Sequence, residues 1–84
     1  MCAITVYTTE PCGFCAAAKA LLAAHGLEFT EINLSKDEAG RAQLAQTTGM
    51  MTFPQVTVDG SLVGGFHETK TALESGRLEE LLAA

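Results

Sequence analysis

A chain of 84 residues, 48% of them hydrophobic and 18% charged, carries enough apolar material for one packed domain, near the small end of what folds without staples. Its net charge of −5 comes with no basic cluster, which argues against nucleic acid, and its apolar runs are broken by Lys19, His25 and Gly26 too soon to cross a membrane. Three cysteines, an odd number, exclude a disulfide framework and suit a reducing compartment; with no leader ahead of Ile4, a cytoplasmic protein with a single domain over residues 1–84 is expected.

Residues 3–8 alternate as a strand does, rich in β-branched side chains, and Glu10-Pro11 ends the run. From Gly13 to His25 the pattern turns helical, with Ala18, Leu21, Leu22 and His25 on one face and Gly26 as a left-handed cap. Leu27 to Leu34 reads as a second strand with apolar Leu27, Phe29, Ile32 and Leu34. Ser35 followed by Glu38 has the form of a capping box opening a helix that runs to about Thr48 and stops at Gly49. Gln55 to Val58 is a third strand, and Asp59-Gly60 is the strongest hairpin signal in the chain, leading into Ser61-Leu62-Val63. Gly64-Gly65 turns the chain into a helix that lasts to Ser75, and Arg77 to Ala83 forms a last short helix striped by Leu78, Leu81 and Leu82.

The order is β-α-β-α-β-β-α(α), which places the chain in the α/β class. A parallel crossover comes first, right-handed by the usual rule, and the hairpin adds an antiparallel pair. The expected architecture is a four-stranded mixed β-sheet with helices on both faces. Core candidates are Phe29, Ile32, Val56, Val58 and Leu73, with Tyr7 half-buried in the sheet. Met50 and Met51 either fill gaps or meet a protein substrate. Glu68, Glu74, Glu79 and Glu80 read as a solvated face.

Chemistry concentrates at Cys12-Gly13-Phe14-Cys15, between the first strand and the first helix. A sulfur at a helix start is favoured as thiolate, the species that attacks disulfides. Cys12, at the exposed edge of the turn, is therefore the expected nucleophile with a lowered pKa. Cys15, one turn further in, is expected to keep a higher pKa and to resolve the mixed disulfide by attacking the Cys12 sulfur. Two other readings stand beside this one. A zinc half-site needs a second ligand pair, and Cys2, His25 and His67 supply none, so no metal is expected. An inert buried pair fits poorly with Pro11 and Gly13, which put Cys12 at a turn. Lys19 either adds positive potential near Cys15 or merely solvates its helix face. Cys2 reads as an incidental thiol, with regulatory or glutathionylated use as the alternative.

The run Val6-Tyr7-Thr8-Thr9-Glu10-Pro11-Cys12-Gly13-Phe14-Cys15, with Ala18-Lys19-Ala20-Leu21-Leu22 behind it, resembles the glutaredoxins. Thr52-Phe53-Pro54 stands where they have Thr-Val-Pro, and Gly64-Gly65 where they have a double glycine. The resemblance implies a thioredoxin-like fold, a cis peptide before Pro54, and thiol–disulfide exchange on protein disulfides and glutathione mixed disulfides. Glutathione is then a co-substrate, with no tightly bound cofactor. Carried over by position, its binding residues are Thr9, Phe14, Arg41, Thr52, Phe53, Pro54, Gly65, Phe66 and His67. Arg41 would meet the glycine carboxylate, for which a guanidinium fork is suited; otherwise it is a solvated surface cation. The Phe53 backbone would hold the cysteinyl part as an added strand, and Phe66 and His67 would meet the γ-glutamyl end at a helix start.

Some residues depart from the family pattern. Thr9 replaces a frequent lysine, His67 a frequent Asp or Ser, and Phe53 a valine. Tyr7-Thr8-Thr9 is similar to mycothiol-linked redoxins, and Gly65-Phe66-His67 is distantly similar to redoxins reduced by thioredoxin reductase. Gly13-Phe14 occurs in cluster-carrying monothiol members, where serine replaces Cys15. The alternatives are accordingly a redoxin reduced by mycothiol or thioredoxin reductase, and a dimer holding a [2Fe–2S] cluster through Cys12 and glutathione. The leading expectation is a monomer acting on disulfide-containing proteins, with no nucleic acid and no membrane partner.

Overall fold

The computed structural model describes residues 3–83; Cys2 lies outside them, and so does the expectation attached to it. Eight elements follow in the expected order: β1 (Ile4–Thr8), α1 (Gly13–Ala24), β2 (Thr30–Asn33), α2 (Glu38–Thr48), β3 (Gln55–Val58), β4 (Ser61–Gly64), α3 (Phe66–Ser75) and α4 (Arg77–Ala83). They build a mixed sheet of strand order β2-β1-β3-β4, in which β1 pairs parallel with β2 and antiparallel with β3, and β3 pairs antiparallel with β4.

Alternation along β1 decides which side holds the core. Ile4, Val6 and Thr8 point to one face and are buried, while Thr5 and Tyr7 point to the other and are half-buried. Register puts Ile4 opposite Val58 and Val6 opposite Val56, so four β-branched side chains pave one face. Leu22 of α1, Ala72 and Leu73 of α3 and Leu78 of α4 close over that face, with Leu21, Leu27, Phe29, Val63, Leu81 and Leu82 at the rim. On the opposite face, Tyr7 and Leu34 share a cavity of about 300 Å³ with Gly40, Gln43, Leu44 and Thr47 of α2. No α2 residue is fully buried, because its small and polar side chains cover that side thinly.

Several expectations need correction. The second strand is four residues long, not the span from Leu27 to Leu34, since the register with β1 runs over Thr30–Asn33. Ile32 is not a core residue: it lies on an edge strand and is 38% exposed. Phe29 packs at the rim of the core rather than inside it. His25 is not on the apolar face of α1 but is its exposed C-cap, where Gly26 (φ +72°) turns the chain away. The capping residue of α2 is Asp37, whose carboxylate accepts the Gly40 N–H at 2.8 Å; Ser35 instead spends its N–H and hydroxyl on the Asn33 side chain.

The hairpin is as expected, with Asp59 (φ +50°) and Gly60 (φ +85°) at its two turn positions. A register irregularity at Val56/Thr57 leaves Gly64 opposite Val56, just before α3 begins. Gly64 adopts φ +135°, which a side chain rarely tolerates, and delivers the chain to Gly65, the N-cap of α3.

Candidate active site

Cys12 is the N-cap of α1, with extended backbone (φ −155°) and its sulfur turned back over the first turn. There Sγ accepts the Cys15 N–H at 3.1 Å and lies 3.8 Å from the Phe53 carbonyl oxygen. Pro11 and Gly13 make this possible, since no helical hydrogen bond is asked of either ahead of the first turn. Both cysteines are free thiols, Cys12 half-buried and Cys15 buried at 3% exposure. Burial, reinforced by the hydrogen bond with Cys12, pushes the Cys15 thiol up from 9.0 to about 11; the Thr9 backbone and the Lys19 ammonium pull the other way. One sulfur thus faces outward under a backbone donor, and the other stays protonated beneath it.

That thiol has a consequence for stability. The folded-state value lies above the unfolded one, so between pH 9 and pH 11 the native protein holds a proton that the unfolded chain has lost. Stability from this group is complete below pH 9 and disappears as pH rises through 11, about 2–3 kcal/mol in all at 1.36 kcal/mol per pKa unit. Urea titrations of the reduced protein at pH 8–11, set against Cys15→Ser, measure it. Parallel curves for the two proteins would contradict the burial effect.

The Phe53–Pro54 peptide is cis, as the resemblance implied; Glu10–Pro11 is cis as well, which no sequence signal announced. Gln55, wholly buried, fixes the segment in front of it. Its amide nitrogen donates to the Met50 and Thr52 carbonyls at 3.0 and 3.1 Å, and its amide oxygen accepts from the Thr48 hydroxyl at 2.8 Å. With every polar group satisfied, this buried amide ties the end of α2 to β3 and presents Phe53 to Cys12. Sequence reading took Gln55 only as the first residue of a strand.

Of the cavities that border Phe53, two hold the residues expected to bind a ligand. One, of about 320 Å³, has Phe14, Phe66 and His67 on one side and Thr52, Phe53 and Pro54 on the other, with Met50, Gly65 and Glu68 completing it. Its three rings form a cluster with centroids 5.8, 5.8 and 5.5 Å apart, and Phe14 is 57% exposed. The other, of about 350 Å³, is lined by Thr9, Glu10, Ser35, Arg41, Met51 and Phe53. All nine residues singled out for ligand binding therefore border one cavity or the other. A larger cavity of about 400 Å³ lies between β4 and the α3–α4 junction, bordered by Val63, Thr71, Ser75 and Arg77, and reaches the dithiol side only through His67 and Glu68.

Arg41 is not a solvated cation. It is half-buried, and its Nη1 donates to the Leu34 and Ser35 carbonyls at 2.6 and 2.9 Å, leaving Nη2 and Nε for a ligand. Glu68 is not simply part of a solvated face: its Oε1 accepts the Gly65 N–H at 2.8 Å and caps α3 beside the aromatic cluster. The spacing Gly65-x-x-Glu68, a capping position, was the signal for it. Met50 is half-buried against the cavity and Met51 is 84% exposed. Lys19 neither waits in solvent nor stands alone: Glu31 of β2 holds it with both carboxylate oxygens at 3.1 Å, and the buried Thr8 hydroxyl donates to Glu31 at 2.8 Å. The Thr8 hydroxyl and then Lys19 hold the Glu31 carboxyl below its ordinary value.

The family model described as glutaredoxin matches residues 4–63. Among curated proteins, the chain is 33% identical over 82 residues to glutaredoxin 3 of Escherichia coli strain K12, covering 98% of this chain and 99% of that one. It is 36% identical over 81 residues to a glutaredoxin of Pseudomonas aeruginosa, covering 96% of each. Among solved structures, a buckwheat glutaredoxin in complex with glutathione superposes with a TM-score of 0.86 at 28% identity, covering 98% of this chain and 77% of that one.

Proposed function

Because this chain belongs to the glutaredoxin family, whose members are thiol–disulfide oxidoreductases, we propose that it works as a dithiol enzyme with glutathione as its small-thiol co-substrate. The observation that carries the proposal is the division of labour at the head of α1: an accessible Cys12 sulfur under a backbone N–H, and a buried, protonated Cys15 one turn behind.

Cys12 attacks a sulfur of the substrate disulfide, forming a mixed disulfide and expelling the other substrate sulfur as thiolate, which takes up a proton. The Cys15 N–H, already aimed at Cys12 Sγ, is a donor that strengthens with charge on that atom. Cys15 then loses its proton and attacks Cys12 Sγ. The Cys12–Cys15 bond forms, and the second substrate sulfur departs with the electron pair. Two glutathiones reverse the sequence and restore the dithiol, giving glutathione disulfide.

Glutathione suits the two cavities by its charges. Nη2 and Nε of Arg41 are donors for the glycine carboxylate on one side of Phe53. On the other side, the free N–H groups at the start of α3, at Phe66 and His67, suit the γ-glutamyl carboxylate. The Phe53 backbone, shared by both cavities and 3.8 Å from Cys12 Sγ, suits the cysteinyl residue between them. The glutathione held by the buckwheat relative supports this reading.

The test offers electron donors separately against a glutathionylated peptide: glutathione with NADPH and glutathione reductase, thioredoxin reductase with NADPH, and mycothiol with its reductase. Turnover is expected with glutathione. Preference for either other donor would remove glutathione from the proposal while leaving the dithiol exchange standing.

A further inference from the structure

We propose that Lys19, clamped by Glu31 and Thr8 one helical turn beyond Cys15, is the positioning residue that lets Cys15 ionise and so sets the pace of the resolving step. The inference rests on the dithiol reading above and assigns the control of its second half.

Positions 15 and 19 share one face of α1, where residues four apart lie side by side. A free lysine in Lys19's place would sweep through solvent and spend little time near the sulfur. Here two groups from two other elements stop it. The Thr8 hydroxyl, 1% exposed at the end of β1, fixes one Glu31 oxygen from below. Both Glu31 oxygens then hold the Lys19 ammonium at 3.1 Å. An ion pair one-third exposed on each side adds little stability, so holding a charge in place is the better account of this cluster.

The reason a held cation matters is the state of Cys15 during the reaction. In the reduced protein, burial and Cys12 both oppose its ionisation, and Lys19 and the Thr9 backbone favour it. Once Cys12 is tied up in a mixed disulfide, its opposition is gone, and burial is opposed by Thr9 and Lys19 alone. Among charged groups of the described residues acting on Cys15, Lys19 is then the one left. The charged and titratable groups of α3, the helix packed on α1, are His67, Glu68, Lys70 and Glu74, and all are exposed. Glu31, held as a carboxylate, is a poor proton acceptor; the Cys15 proton goes to solvent as its sulfur attacks.

Rapid mixing of the reduced protein with 5,5′-dithiobis(2-nitrobenzoate) separates the two steps. Attack by Cys12 releases one thionitrobenzoate at a rate proportional to reagent. Attack by Cys15 releases the second at a rate independent of it. For Lys19→Met, the pH profile of the second phase should shift upward. Its rate at neutral pH should fall about twofold, because the smaller thiolate fraction is partly offset by the greater nucleophilicity of a more basic thiolate. The first phase should stay unchanged, and Lys19→Arg should restore the wild-type profile. Glu31→Ala, which keeps the cation but removes its clamp, should move the second phase in the same direction by less. An unchanged second phase in Lys19→Met overturns the proposal, as does faster resolution in Glu31→Ala, which would make Glu31 a mere neutraliser. Absence of a second phase in the wild type would instead sink the dithiol reading.

Discussion

Cys12→Ser will lower turnover of every disulfide substrate by about a thousandfold or more, because a hydroxyl held at the head of α1 remains protonated at neutral pH and is a far weaker nucleophile than sulfur. Cys15→Ser should behave differently. The first exchange at Cys12 needs nothing from the Cys15 sulfur, and the N–H that bonds Cys12 Sγ at 3.1 Å belongs to the backbone, which serine keeps. Glutathione mixed disulfides, which a second glutathione can resolve from outside, should still turn over within about tenfold of wild type. Intramolecular protein disulfides should turn over about a hundredfold more slowly, because the mixed disulfide loses its neighbouring attacker and with it the effective concentration of an intramolecular thiol. Steady-state rates for the two substrates with the two variants decide the matter. Equal loss for both substrates in Cys15→Ser would mean that Cys15 serves the first step, contrary to its burial. Retained activity in Cys12→Ser would remove the proposed nucleophile altogether.

Gly64→Ala is expected to be the most damaging single-atom addition near the site. Gly64 has φ +135°, and a Cβ there would fall 2.6 Å from Glu68 Cβ and 2.7 Å from its Cγ. Backbone strain of this kind costs about 1–3 kcal/mol, and losing the carboxylate that accepts the Gly65 N–H adds about 1 kcal/mol. A domain of this size has roughly 4–12 kcal/mol in total, and each kcal/mol moves its melting temperature by about 4–8 °C. A fall of about 8–30 °C follows. Because Gly65, Phe66 and His67 follow directly and border the aromatic cavity, affinity for glutathione should drop in whatever fraction stays folded. Gly13→Ala is the control, since a Cβ at Gly13 meets nothing within 4 Å and should leave melting nearly unchanged. Thermal unfolding of the two variants side by side tests this, and a Gly64→Ala protein melting with the wild type would refute the steric argument.

Much of the fold was legible because its signals are local. Alternation over residues 3–8, the Ala–Leu face behind Cys12 and the Asp59-Gly60 turn each lie within a few residues, and each element formed where its pattern placed it. Errors arose where a local pattern competed with a partner elsewhere. Ile32 is apolar and strand-like, yet β2 is an edge strand and leaves it 38% exposed. Ser35 and Glu38 had capping-box spacing, but Asn33 claimed Ser35 and the nearer Asp37 took the cap.

The sequence by itself determined the order of elements and the siting of two thiols at a strand-to-helix turn, since both follow from short-range backbone preferences. Tertiary structure alone decided that Cys15 is buried, that Gln55 props Phe53 against Cys12, that Arg41 is tied to two carbonyls, and that Glu31 holds Lys19. Apart from the Arg41 and Gln55 bonds, which span three to seven residues, those pairings join positions 12 to 41 apart. They depend on which faces the sheet turns inward and which helices cross above it, and no periodicity in one segment encodes the position of another.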